Sequence, residues 1–284
     1  MRLIRFKSGI GARYGISGDS GVRAFVPPIA TLGTYLALST AERASLATEF
    51  VGPLESLALL APVGPHKNVF CVGRNYLGHA EEIARARGID LKLPEVPTFF
   101  TKAPTAIAAP GAVLHLSAAI SSEYDWEAEL AVVIGTRCRD VAADRALDVV
   151  FGYTCLNDVT ARDLQKAHGQ WFKGKSLDQT CPIGPWIVTA DEIGDPGTLG
   201  ISIHIDGVTK QDSNTSQLIF GVPKIIASLS RGMTLEAGDV IATGTPDGVG
   251  FARTPPEFLR DGTVMEVEIE RIGVLRNTVA LALG

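Results

Sequence analysis

No block of lysine or arginine interrupts this sequence, and its formal charge is −5. A nucleic-acid surface concentrates positive charge, so that class of partner is excluded. No apolar run approaches the ~20 residues that a membrane-spanning helix needs. The opening residues, MRLIRFKSGIGARYG, lack the apolar core of a secretory signal, and a cytoplasmic protein is expected. Cysteine is scarce: Cys71, Cys138, Cys155 and Cys181 form no CxxC pair and sit in or beside apolar segments. Buried free thiols in a reducing compartment are expected. Nucleotide signatures are missing as well. The glycine-rich TGTPDGVG at 243–250 has no GK[ST], and GxGxxG is absent. No serine sits in G-x-S-x-G, and His66, His115, His168 and His204 form no zinc-type spacing.

What is present is a chain with 46% apolar residues, enough for a sizeable core, and with 30 glycines and 16 prolines marking many turns. A β-rich fold follows. Short β-like runs fill 2–26, with Gly18–Gly21 as a hairpin turn. A weakly periodic stretch in 29–50 reads as helical, and the Pro/Gly-marked 53–66 as a linker. We place a small N-terminal domain at 1–62 and a larger domain at 63–284. A helix is predicted from Leu77 to Arg87 and a second over 222–232, with Pro223 in its first turn. Thr160–His168 reads as a short helix. Strands are predicted at 112–116, 129–135, 148–156, 186–189, 201–206, 240–243, 264–269 and 274–281, with another ending at Lys102.

Glu127 and Glu129 stand two apart just before the apolar run Leu130–Ile134. On a strand that spacing puts both carboxylates on one face. Like charges there repel unless a cation lies between them. Asp158 follows a second apolar run, in GYTCLNDVTARD. Three carboxylates with no partnering cysteine suit Mg²⁺ or Mn²⁺ rather than zinc. A solvated strand edge presents the same E-x-E, and Asp158 could cap a helix from Thr160, so spacing leaves both readings open.

Other residues carry similar alternatives. His79 and Glu82 share a helix face, as a general base and its orienting carboxylate would, or as any charged face does. Arg74, after a glycine turn, could clamp a carboxylate or serve structure, and so could Lys102. Lys175, in a segment with Trp171 and Phe172, could meet an enolate or face solvent. Thr245 and the amides of its glycine-rich loop could hold a carboxylate, though a series of turns explains the glycines equally well.

Taken together the motifs are more specific. NVFCVGRNYLGHAEE, FFTKAPTAI, DWEAELAVVIG, GYTCLNDVTARDLQ, FKGKSLDQTCPIGPWIVT, NTSQLIFGVPKIIASLS and DVIATGTPDGVG stand in an order that closely resembles the fumarylacetoacetate hydrolase family across 67–250. The resemblance implies a mainly β fold with some α: a mixed β-sandwich roll behind a small α/β N-terminal domain, in a homodimer. It implies Glu127, Glu129 and Asp158 as ligands of Mg²⁺ or Mn²⁺. It implies a His79–Glu82 dyad on a lid helix, Lys175 as an active-site lysine, and Gln165 and Thr245 in substrate binding, together with Arg74 and Lys102.

The activity expected from it is hydrolysis of the C–C bond of an acylpyruvate, with His79 activating water and Lys175 helping to hold the pyruvate enolate. Fumarylacetoacetate itself is not the expected substrate, because the N-terminal domain is short. The same enolate chemistry serves an oxaloacetate-type decarboxylase or a 2-hydroxyhepta-2,4-diene-1,7-dioate isomerase or decarboxylase. A ureidoglycolate lyase shares much of the motif set. A noncatalytic ligand-binding protein is the alternative of another class.

Overall fold

The computed structural model describes residues 1–64 and 67–282. Pro65 and His66, the end of the expected linker, lie outside the described residues, as do Leu283 and Gly284. Strand residues outnumber helical residues, as expected for a mainly β fold with some α. The largest sheet runs through strands Ala47–Gly52, Gly21–Val26, Gly11–Gly18, Arg2–Ser8, Cys181–Thr189, Val150–Asn157, Ala128–Ile134, Val240–Ala242, Val69–Gly73 and Thr98–Lys102. The N-terminal strands therefore extend the sheet of the larger part, through the register Arg2↔Val188 and Leu3↔Ile187. A second sheet orders Val208–Asn214, Gly200–Ile205, Val264–Ile269, Gly273–Ala282 and Val113–Ser117.

The middle of the large sheet explains why its strands read as nearly continuous apolar runs. Every residue of Ala128–Ile134 and of Val150–Asn157 is buried. Alternation still sorts the side chains. Leu130, Val132 and Ile134 join one core, which includes Ile201, Ile225 and Val267, while Ala131 and Val133 join another with Cys71, Cys181 and Ala242. Glu127 and Glu129 continue the second face outward. The same side of one strand thus changes from hydrocarbon to carboxylate.

The helix Leu77–Arg87 has the predicted bounds and ends at Gly88 in the left-handed region, φ 62°. The second predicted helix spans Val222–Ser230 with proline in its first turn. Three segments differ from expectation. The helical reading of 29–50 resolves into helices Leu32–Leu36 and Thr40–Ser45, followed by the edge strand Ala47–Gly52. A capping box of Ser39 and Glu42 starts the second helix, but nothing local extends it past Ser45. Thr160–Ala161 pairs with Tyr124–Asp125, so the short helix starts later and spans Arg162–Ala167. The strand Val208–Asn214 had no apolar signature because it is an edge, with only Gln211 buried. Among the described residues no helix is long and apolar enough to cross a membrane.

Candidate active site

Strand register assembles the acidic group. Ala128 pairs with Asn157, so the start of one central strand lies beside the end of the other. The Asn157 side chain accepts from the Glu127 amide at 3.0 Å, and the Asp158 amide donates to the Glu127 carbonyl at 2.9 Å. One oxygen each of Glu127, Glu129 and Asp158 lies within 4.8 Å of the others, and all three residues are buried.

Three cations surround them. The Lys175 Nζ, on the short helix Phe172–Lys175, donates to Glu127 Oε2 and to Asp158 Oδ2, both at 2.7 Å. Lys102 Nζ donates to the other Asp158 oxygen at 2.6 Å and to the Val159 carbonyl. Arg162 Nη1 reaches Glu127 Oε1 at 2.7 Å, while its Nε donates to Asp125 Oδ2 at 2.8 Å. Glu129 has no ion-pair partner among the described residues, and its Oε2 accepts only the Gly244 amide, at 2.8 Å.

The electrostatics follow from that division. Burial alone would raise the Glu127 carboxyl, but Lys175, Arg162 and His79 bring it down to about 2. Burial raises Glu129 well above the carboxylate range, and the negative charges of Asp158 and Glu127 add to this. Burial opposes charge on Lys175, yet Asp158 and Glu127 raise its affinity for the proton. Four buried carboxylates, with Asp125 included, face three cations. This group lacks one positive charge, and the deficit falls on Glu129. An oxygen-only donor set with excess negative charge fits a hard divalent cation. Such an ion would share Glu127 and Asp158 with Lys175.

Glu127 and Glu129 line a cavity of about 820 Å³. Of the residues singled out from sequence, Arg74, His79, Glu127, Glu129, Gln165, Lys175 and Thr245 line it. Glu82, Lys102 and Asp158 stand behind that surface. Lys102 is fully buried against Asp158, so its contacts are with the acid cluster rather than the cavity. His79 is 5% exposed, and its Nδ1 lies 3.1 Å from Glu82 Oε2. The second Glu82 oxygen accepts the Gly248 amide at 2.9 Å. Thr245 Oγ1 lies 2.8 Å from Gln211 Nε2, its donor. Arg74 takes a left-handed backbone, φ 56°, and its guanidinium lies 5.5 Å from the centre of the Trp171 ring.

Several contributors escaped the sequence reading. Arg162, the arginine of TARD at 160–163, lines the cavity beneath the Phe251 ring. Gln165, one helical turn on, accepts from its Nη1 at 3.3 Å. Phe100 and Trp171 pack edge to face at 5.2 Å, and Lys175 Nζ lies over Phe100. Asp125 precedes Glu127 by two, a spacing that itself pointed to a shared face.

Residues 68–280 match the family model described as the fumarylacetoacetate (FAA) hydrolase C-terminal domain. The chain belongs to this family. It is 46% identical over 231 residues to oxaloacetate tautomerase YisK of Bacillus subtilis (strain 168), covering 81% of this chain and 75% of the relative. It is 39% identical to the mitochondrial oxaloacetate tautomerase Fahd2a of Rattus norvegicus, over 98% of this chain and 91% of the relative. Among solved structures, fumarylacetoacetate hydrolase EaFAH from Exiguobacterium antarcticum superposes with a TM-score of 0.84 at 39% identity, covering 99% of this chain and 100% of that one. The 2-hydroxyhepta-2,4-diene-1,7-dioate isomerase from Mycobacterium marinum gives 0.78 at 38% identity, covering 99% and 98%. The protein is an enzyme of a fumarylacetoacetate hydrolase family that works with divalent metal, and its acidic triad suits such an ion.

Proposed function

We propose that the protein is a divalent-metal-dependent enzyme that interconverts the keto and enol forms of a small 2-oxo dicarboxylic acid such as oxaloacetate. The observation that carries this is the makeup of the cavity wall. One histidine, held by a carboxylate, shares the cavity with an acid cluster and a buried lysine, and no serine or cysteine among the described residues lines it. That wall offers a base and cations, with no thiol or serine nucleophile for an acyl-enzyme. The names of the relatives quoted above support the same reading.

Glu127, Glu129 and Asp158 would hold Mg²⁺ or Mn²⁺. When bound, the ion would supply a Lewis acid for the substrate's carboxylate and 2-oxo oxygen. His79 takes a proton from C3 as the C2–C3 double bond forms, and returns it to the 2-oxygen to complete the enol. Glu82 fixes the ring by holding Nδ1, which leaves Nε2 to move the proton. Lys175 meets the charge that develops on the 2-oxygen. Arg74, Gln165 and Thr245 hold the substrate's polar groups. Lys102 stays behind Asp158 and keeps that carboxylate in place.

A second reading, hydrolysis of an acylpyruvate, is favoured by the volume of the cavity, which exceeds what a four-carbon acid fills. In it His79 would activate water instead. The two are separated by one comparison with Mg²⁺ or Mn²⁺ present. Loss of the ultraviolet absorbance of enol-oxaloacetate, abolished in His79→Ala and without pyruvate release, supports tautomerisation. Pyruvate released faster from an acylpyruvate than oxaloacetate is tautomerised replaces it with hydrolysis. Pyruvate from oxaloacetate would mark a decarboxylase. The proposal also keeps a cytoplasmic homodimer, which light scattering and fractionation would test.

A further inference from the structure

Asp125 takes no part in the scheme above and does not line the cavity, yet it is fully buried beside it. Its Oδ1 accepts the amides of Trp126 at 2.8 Å and Gly250 at 2.7 Å. Its Oδ2 accepts the amide of Phe251 at 3.0 Å and lies 2.8 Å from both Nε and Nη2 of Arg162. The same guanidinium reaches Glu127 through Nη1. One carboxylate therefore holds the end of the glycine-rich loop and the cation that faces a candidate metal ligand. The loop is held by two more acids. Glu129 accepts from Gly244, and Glu82 accepts from Gly248. Trp126 adds a hydrogen bond from its indole to the Gly248 carbonyl, at 3.1 Å.

We propose that Asp125 is a positioning residue that divides the charge of Arg162, so that Glu127 stays negative enough to hold a divalent ion, and anchors the loop whose Gly248 amide orients Glu82. This rests on the metal-site reading above. Without Asp125 the whole guanidinium charge falls on Glu127, the carboxylate is neutralised, and the ion is held less well. Loss of outer partners of metal ligands commonly costs about 10- to 100-fold in affinity.

The test is Mn²⁺ binding by calorimetry and electron paramagnetic resonance, with amide exchange over residues 244–251. Asp125→Asn should bind Mn²⁺ at least ~10-fold more weakly and exchange faster at Gly250 and Phe251. Arg162→Gln, which frees Glu127 from one of its two cations, should bind Mn²⁺ more tightly than the wild type. The double variant should recover most of the affinity lost in Asp125→Asn. A residue serving structure alone would weaken binding in all three variants, the double most of all, and that result overturns the proposal. Equal affinity in Asp125→Asn and wild type overturns it too. Where Asp125→Asn does not fold, the sign of the change in Arg162→Gln decides. A wild-type protein that binds no Mn²⁺ overturns the metal reading itself, a result distinct from both.

Discussion

Lys175 Nζ donates to Asp158 Oδ2 at 2.7 Å, and the same nitrogen lies 2.7 Å from Glu127. One ammonium group thus holds together two buried acids that would otherwise repel. It occupies the ground that a divalent ion would share.

Replacing it shows what it balances. Lys175→Met leaves two buried carboxylates short of a cation, and breaking such a pairing costs about 3–5 kcal/mol. The melting temperature of the metal-free variant should fall accordingly. Added Mn²⁺ should raise it more in Lys175→Met than in wild type, because the ion restores the missing charge. Thermal scans with and without Mn²⁺ check this, and an equal shift in both proteins would count against a shared site. Turnover should stay low in the variant even with metal, since the charge developing on the substrate oxygen would lack its lysine.

The dyad should separate from the ligands. His79→Ala removes the base, and general-base loss of this kind costs on the order of 10²–10⁴ in rate. Glu82→Gln keeps a group able to accept the Gly248 amide but loses the charge beside Nδ1. It should lose less rate than His79→Ala. Neither residue belongs to the acidic triad, so Mn²⁺ affinity should hold in both. A large drop in affinity would place His79 among the ligands and undo this division of roles.

How much of this was legible in the chain differs by residue. The helix Leu77–Arg87 showed itself through composition and a following glycine, because local propensity and packing agree there. Central strands showed themselves as apolar runs because both faces are covered. Val208–Asn214 did not, since an edge strand needs little hydrocarbon, and its one buried side chain, Gln211, supports Thr245 and the Pro246 carbonyl instead. Glu127 and Glu129 declared a common face by spacing alone. That Asp158 meets them depends on the register of two strands, which spacing does not encode. The ion pairs of Lys102 and Arg162 depend on contacts 56 and 37 residues apart in the chain, and no local pattern reports them.

Gly174, on the helix Phe172–Lys175, packs against the start of the helix Arg162–Ala167. A methyl group added there would stand 2.5 Å from the Gln165 amide nitrogen and 2.7 Å from the Ala161 carbonyl. Both are backbone atoms, so the helix carrying Lys175 must move instead. Gly174→Ala should destabilise the fold by about 1–3 kcal/mol, as overpacking does. It should also cost turnover beyond that loss, because Lys175 and Gln165 shift relative to the acids. A kcat equal to wild type below the melting temperature would show that the lysine tolerates displacement.

The acids also dictate how the metal-free protein responds to pH, with Glu127 and Glu129 pulling in opposite directions. The ordinary value for both is 4.5. Glu127 is held down to about 2, first against burial, by Lys175 and Arg162, so its stabilisation is complete above 4.5 and is lost as pH falls toward 2. Glu129 is raised by burial and by Asp158 and Glu127, so above 4.5 the unfolded chain releases a proton that the folded one keeps. The unfolded state then binds fewer protons, and this group's contribution weakens stability as pH rises until its raised pKa is passed. A divalent ion needs Glu129 ionised, so its binding releases that proton, and Mn²⁺ affinity should climb across the same range. Glu129→Gln removes the titration, and metal-free denaturation of this variant should lose the downward contribution above pH 4.5 expected from Glu129 in the wild type. Matching slopes would mean that the excess negative charge of the cluster rests on a different acid, and Glu129 would then hold an ion without giving up a proton.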